Sequence, residues 1–154
     1  MKTKTIGLTL ALSIAAAALC FAHNPTLGTW KLNKSKSQFG DGAGKTTLVV
    51  WQKTGQQNKC TVDGIDAHGK KVHTVWTGKL DGKDYPITGD SMSDMRSFKL
   101  SGDHKIDMVS KKNGKEVGDG TIVVATDGKT RTVTSTIRNA KGVKVTSSQF
   151  YDRS

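Results

Sequence analysis

Cysteine and proline are nearly absent from this 154-residue chain, which has two of each. Two cysteines cannot build the disulfide scaffold of a small stapled domain. Two prolines, and glycines without a three-residue period, exclude collagen-like and proline-rich chains. Apolar residues are scarce as well. They make up 34% of the chain, and the densest apolar stretch falls in the first 22 positions. Carboxylates are outnumbered, with 13 Asp plus Glu against 24 Lys plus Arg, for a formal charge of +11. The length admits one domain and leaves no room for a multidomain enzyme.

What is present begins with a segment that reads as a targeting signal. Lys2 and Lys4 precede the apolar run Ile6–Leu19, and Cys20-Phe21-Ala22 ends on a small residue. This is the layout of a cleaved secretory signal peptide. The run is shorter than the roughly 20 apolar residues of a membrane-spanning helix. Lipid attachment at Cys20 would need a small residue before it, and Leu19 stands there. The expectation is a signal peptide over 1–22 and one exported domain over 23–154, periplasmic or extracellular. No transmembrane segment is expected in the mature chain. Cys60 would be its only cysteine, buried in a strand.

The rest reads as strands and tight turns. Thr and Val dominate, and β-branched residues suit a pleated surface. Asp63-Gly64, Asp81-Gly82, Asn113-Gly114 and Asp127-Gly128 are hairpin signals. A bulge within a strand is an equal reading of Asp63-Gly64. From Gly102 the glycines recur at 114, 128 and 142, intervals that each fit one strand and one turn. Strands are expected near 28–33, 45–53, 58–65, 70–79, 83–87, 93–100, 104–112, 115–125, 129–138 and 143–152, with one helical turn within 33–39. No segment of 23–154 carries a helical apolar period. Thr130, Thr132, Thr134 and Thr136 alternate with Arg131, Val133, Ser135 and Ile137. A closed barrel would turn the threonines out and the mixed row in. The fold class is therefore all-β: an antiparallel up-and-down meander barrel of about 8–10 strands, whose closure removes exposed edges.

Leu27-Gly28-Thr29-Trp30-Lys31-Leu32 carries a Gly-x-Trp on the first strand. In this respect the chain resembles the calycins: lipocalins, fatty-acid-binding proteins and avidins. The final strand, Ser148–Arg153, is similar to the closing strand of the fatty-acid-binding branch. The stretch Leu80–Asp90 also resembles uncharacterised bacterial lipocalin-like secreted proteins. The resemblance implies structural roles at the barrel end for Gly28, Trp30 and Arg153, with Trp30 plugging the end and Arg153 lying on its ring. The fatty-acid-binding pattern holds a carboxylate with Arg-x-Tyr on the last strand, where this chain reads Gln149-Phe150-Tyr151. Tyr151 matches. Gln149 does not, since an amide lacks the charge-assisted, two-pronged bond of an arginine. Residues 34–44 are also too few for that branch's helical lid.

Other chemistry is weakly represented. Gly40-Asp41-Gly42-Ala43-Gly44-Lys45-Thr46 imitates a phosphate-binding loop, but Phe39 stands where the first glycine belongs and a strand follows. His23, His68, His73 and His104 lack the clustered spacing of a metal site. The carboxylates Asp63, Asp66, Asp81, Asp84, Asp90 and Asp127 mark turns rather than an acid–base pair. A nucleophile needs a base and an orienting group, and the many Ser and Thr residues fall in alternating strand rows, where β-propensity alone would put them. The sequence therefore points to no catalysis, no cofactor and no metal. Lys53, Lys59, Lys70, Lys71, Lys83, Lys111, Lys112, Lys115 and Lys129 lie at or beside turns, as a solvated rim that also suits an anionic surface. Trp51 with Lys53, and Trp76 with Lys79, are thin ground for the base-stacking face of a nucleic-acid protein. The leading expectation is non-catalytic binding of a small apolar or amphipathic molecule in the barrel. Its wall candidates are Trp51 or Trp76, Tyr85, Arg96, Arg131 and Tyr151. Which tryptophan points inward depends on register, because one residue of slip reverses a strand's faces. The alternative is an interaction module with a filled core, using its basic rim on an anionic envelope component or a protein partner.

Overall fold

The computed structural model describes residues 24–139 and 141–154; the signal peptide expected over 1–22 lies outside them. Ten antiparallel strands form a closed barrel: β1 (Gly28–Leu32), β2 (Lys45–Thr54), β3 (Gln57–Ile65), β4 (Lys71–Gly78), β5 (Tyr85–Thr88), β6 (Met95–Gly102), β7 (Lys105–Lys112), β8 (Lys115–Val124), β9 (Thr130–Arg138) and β10 (Lys144–Arg153). Each strand pairs with its sequence neighbours, and β1 closes the ring on β10 through Trp30↔Arg153 and Leu32↔Tyr151. The helical turn expected within 33–39 is a 3-10 turn at Lys34–Lys36. Among the described residues, no helix is long and apolar enough to cross a membrane.

Turn chemistry sets the strand ends. Asp66, Asp81, Asp90 and Asp127 each accept a hydrogen bond from the backbone N–H two residues on. This local bond offers the chain a turn instead of a continued ladder. Asn113 and Gly114 both take positive φ, as a two-residue hairpin requires. Gly64 sits within β3, opposite Val72, and the nearby irregularity falls on β2 between Thr46 and Leu48. Asp63-Gly64 is therefore strand interior rather than a turn. β5 and β6 begin at residues 85 and 95, two later than expected, because the Asp81 and Asp90 turns occupy the residues before them.

The register settles which faces point inward. Trp51 lies opposite Cys60, and Cys60 opposite Trp76, so all three share the inner face. Both tryptophans are buried, and each packs on Phe98, at centroid distances of 5.0 and 4.7 Å. Cys60 is a buried free thiol, as expected. One end of the barrel is sealed by Trp30, which is fully buried and donates its indole N–H to the Thr26 carbonyl at 2.7 Å. Arg153 lies over the Trp30 ring at 4.2 Å, and its guanidinium donates to the carbonyls of Pro25, Leu27 and Gly128. Gly28 makes this possible. It adopts φ +116, and a Cβ there would stand 2.8 Å from Nη1 of Arg153. The glycine and tryptophan of Gly-x-Trp are thus tied to the last strand by one arginine.

Candidate functional site

Above this plug lies a cavity of about 190 Å³. Its wall is drawn from seven strands, with Trp51, Phe98, Met108, Ile122 and Val133 as the apolar part. Arg96, Arg131, Gln149 and Tyr151 supply most of the polar part, and Thr46, Ser110, Ser135 and Ile137 carry the wall toward the other end. That end is formed by the connection after β1 and by the turns after β3, β5, β7 and β9.

Arg131 is the unusual group. Only 2% of it is exposed, and its Nε and Nη1 are buried without a hydrogen-bond partner. No carboxylate pairs with it among the described residues. Its guanidinium sits 4.8 Å from the Trp30 ring centroid and 4.9 Å from that of Tyr151. These rings offset part of the cost of burying the charge, but they do not satisfy its N–H donors. Burial pulls the Arg131 pKa down to about 10, against an opposing pull from Tyr151. It is therefore still a cation at neutral pH.

Arg96 differs. Its Nη2 is bonded to Asp90 at 3.0 Å and its Nε to Ser110 at 3.0 Å. Burial lowers its pKa, and Asp90 counters that. The Arg96 charge is thus already balanced, whereas that of Arg131 is not. Tyr151 donates to Oε1 of Gln149 at 3.1 Å, and the same oxygen accepts from the Thr46 backbone N–H at 3.1 Å. Burial raises Tyr151 to about 12 and the Cys60 thiol to about 12. Both stay neutral, and a thiol so protonated is a poor nucleophile.

The wall candidates therefore divide. Trp51, Arg96, Arg131 and Tyr151 meet at the cavity. Trp76 points inward but donates its indole N–H to the Arg96 carbonyl at 2.9 Å and packs outside the cavity wall. Tyr85 lies against Trp76 with its hydroxyl on Asp81 at 3.0 Å, away from the cavity. Sequence reasoning did not single out Asp90 as the partner of Arg96, because the pair spans a loop and a strand. It also missed a cross-strand relation: Arg131 is the register partner of Tyr151. A guanidinium thus stands beside this tyrosine although Gln149 fills the expected arginine position. Among the described residues, no group of His, Cys, Asp and Glu is placed to hold a metal ion. The His73–Asp63 pair, 2.6 Å apart, lies on the exposed outer face. No protein-family model and no curated protein matches the chain.

Proposed function

We propose that this chain is an exported, non-catalytic binding protein of the calycin kind, which holds a small amphipathic anion in its barrel. The observation that carries this reading is the buried, unpaired Arg131 in the wall of a largely apolar cavity. A buried polar group without a partner calls for a physical reason, and a bound oxyanion supplies one. With Arg96 paired to Asp90 and Asp119 making no ion pair with it, Arg131 is the buried cation of the wall left without a partner, which favours a single acidic head. Its volume suits a body on the order of ten non-hydrogen atoms, since a cavity of similar size in another protein takes benzene. Long-chain fatty acid is the poorer fit in volume.

The test is titration of the purified protein with benzoate, phenylacetate and octanoate, each beside its neutral alcohol, followed by tryptophan fluorescence and calorimetry. The acids should bind at least about tenfold more tightly than the alcohols, because a hydrogen bond to a charged group contributes roughly 1.5–3 kcal/mol. Arg131→Met should abolish that preference while leaving the alcohols nearly unaffected. Native mass spectrometry of protein taken from its host should show an added small mass. Empty protein throughout, with no probe bound, would overturn the reading. Strongly salt-dependent retention on polyanions by a protein that binds no probe would favour the interaction module instead.

A further inference from the structure

The fold sorts the basic residues unequally between the two ends of the barrel. At the sealed end, the connections and their flanks carry Lys53, Lys59, Lys79, Lys83, Lys105 and Lys129 together with Asp81, Asp84, Asp103 and Asp127, although the turn after β2 has no carboxylate of its own. At the other end, three neighbouring connections are different. The turn after β9 and its flanks hold Arg138, Lys141 and Lys144 with no carboxylate among residues 138–144. The turn after β7 holds Lys112 and Lys115, with Glu116 and the carboxylate of Asp94 opposing them. The loop after β5 contains Asp90, which is paired with Arg96, and Asp94, which has no cationic partner among the described residues. Asp90 bonds Arg96 and Ser93, and Asp94 accepts the Asn113 backbone N–H at 2.9 Å. That last bond ties the β5 loop to the β7 turn. Lys112, Lys115, Arg138, Lys141 and Lys144 therefore outnumber the carboxylates left to oppose them, Glu116 and Asp94.

Exposed apolar side chains accompany that charge. Among the described residues, the exposed large hydrophobics are Met92 at 55%, Val143 at 56% and Val123 at 45%. Val123 is on the outer face of β8, beside Lys105. Met92 is in the loop after β5 and Val143 in the turn after β9, one on each side of the β7 turn. Apolar tips at either side of a cationic turn match an anionic lipid surface. Lysines are attracted to the headgroup charge, and the tips enter the boundary below it.

We propose that this end of the barrel docks on an anionic lipid bilayer through Met92 and Val143, with Lys112, Lys115, Arg138, Lys141 and Lys144 on the headgroups. The proposal does not depend on what the cavity holds. It is tested by sedimentation of the purified protein with vesicles of phosphatidylcholine alone or with one third phosphatidylglycerol. Binding should need the anionic lipid and disappear by about 0.5 M salt, where screening is short-ranged. The double variant Lys141→Glu/Lys144→Glu should lose at least tenfold in partitioning, given about fivefold per basic residue near such a surface. Lys83→Glu/Lys129→Glu, at the sealed end, should lose far less. Met92→Trp should give an added blue-shifted emission on vesicle binding. No binding at low salt would overturn the proposal, as would equal loss from the two double variants. Retention on heparin without any vesicle binding would also overturn it, and would assign the face to a polyanionic chain.

Discussion

At the scale of single residues, the interior is organised by two arginines that treat Trp30 differently. Arg153 reaches it from the outside and spends its donors on three backbone carbonyls. Arg131 reaches it from the cavity side with donors left over. Arg153→Ala should therefore lower stability by about 1–3 kcal/mol, through lost charged hydrogen bonds and the ring contact, in urea unfolding. The buried titratable groups give a second expectation. Cys60 moves from 9.0 to about 12 on folding and Tyr151 from 10.0 to about 12, so the folded state holds their protons longer than the unfolded chain. Stability falls as pH rises through those windows. Arg131, lowered from 12.5 to about 10, acts in the opposite sense above pH 10, because there the unfolded chain binds more protons. Between pH 9 and 10 the onset of Tyr151 titration in the unfolded chain and of Arg131 titration in the folded one offset each other, and Cys60 leaves a loss of about 1 kcal/mol. Urea unfolding at pH 8, 9 and 10 checks this, and Cys60→Ala should flatten the profile. The inward direction of Arg131 was legible from its alternation with the threonine row. Its lack of a counter-ion was not, because that depends on which strand faces it. Likewise Trp51 and Trp76 were interchangeable until their common partner Cys60 fixed the register.

At the scale of elements, the strands were legible because β-branched residues and Asx turns alternate along the chain. The boundaries slipped where a loop is held by side chains rather than by a two-residue turn, as before β5 and β6. β5 is also the thinnest stave of the barrel. It contributes two register pairs to β4 and two to β6, whereas β9 and β10 share nine. Pro86 within it has no N–H to give. Amide exchange in β5 should accordingly be the fastest of any strand, measured residue by residue under native conditions. If β5 exchanges as slowly as β9 and β10, the weak-stave reading is wrong. Gly89, just after β5, approaches β4 so closely that a Cβ would stand 1.9 Å from the His73 carbonyl oxygen, at φ +79. Gly89→Ala should therefore cost more than about 1 kcal/mol and should further speed exchange in β5 while leaving β9 protected.

At the scale of the whole molecule, closure of the sheet followed from the sequence because ten strands in a meander leave two edges, and pairing them with each other removes both. The asymmetry between the ends did not follow. Along the chain, Lys53, Lys59, Lys70, Lys71, Lys83, Lys111, Lys112, Lys115 and Lys129 look evenly spread beside turns. Only the up-and-down topology sends alternate turns to opposite ends, and only the ion pair of Asp90 with Arg96 shows that this carboxylate does not balance the lysines around it. The same closure has a kinetic side. Gly28 and Arg153 belong to strands that share a ladder, so the seam joins residues separated by nearly the full length of the domain. It cannot form before β10 has been made, and until Arg153 is available β1 lacks one of its two partners. Bringing such distant segments together is entropically slow. Until that pairing forms, Trp30 lacks its arginine, so sealing of the barrel waits on the most distant pairing in the fold.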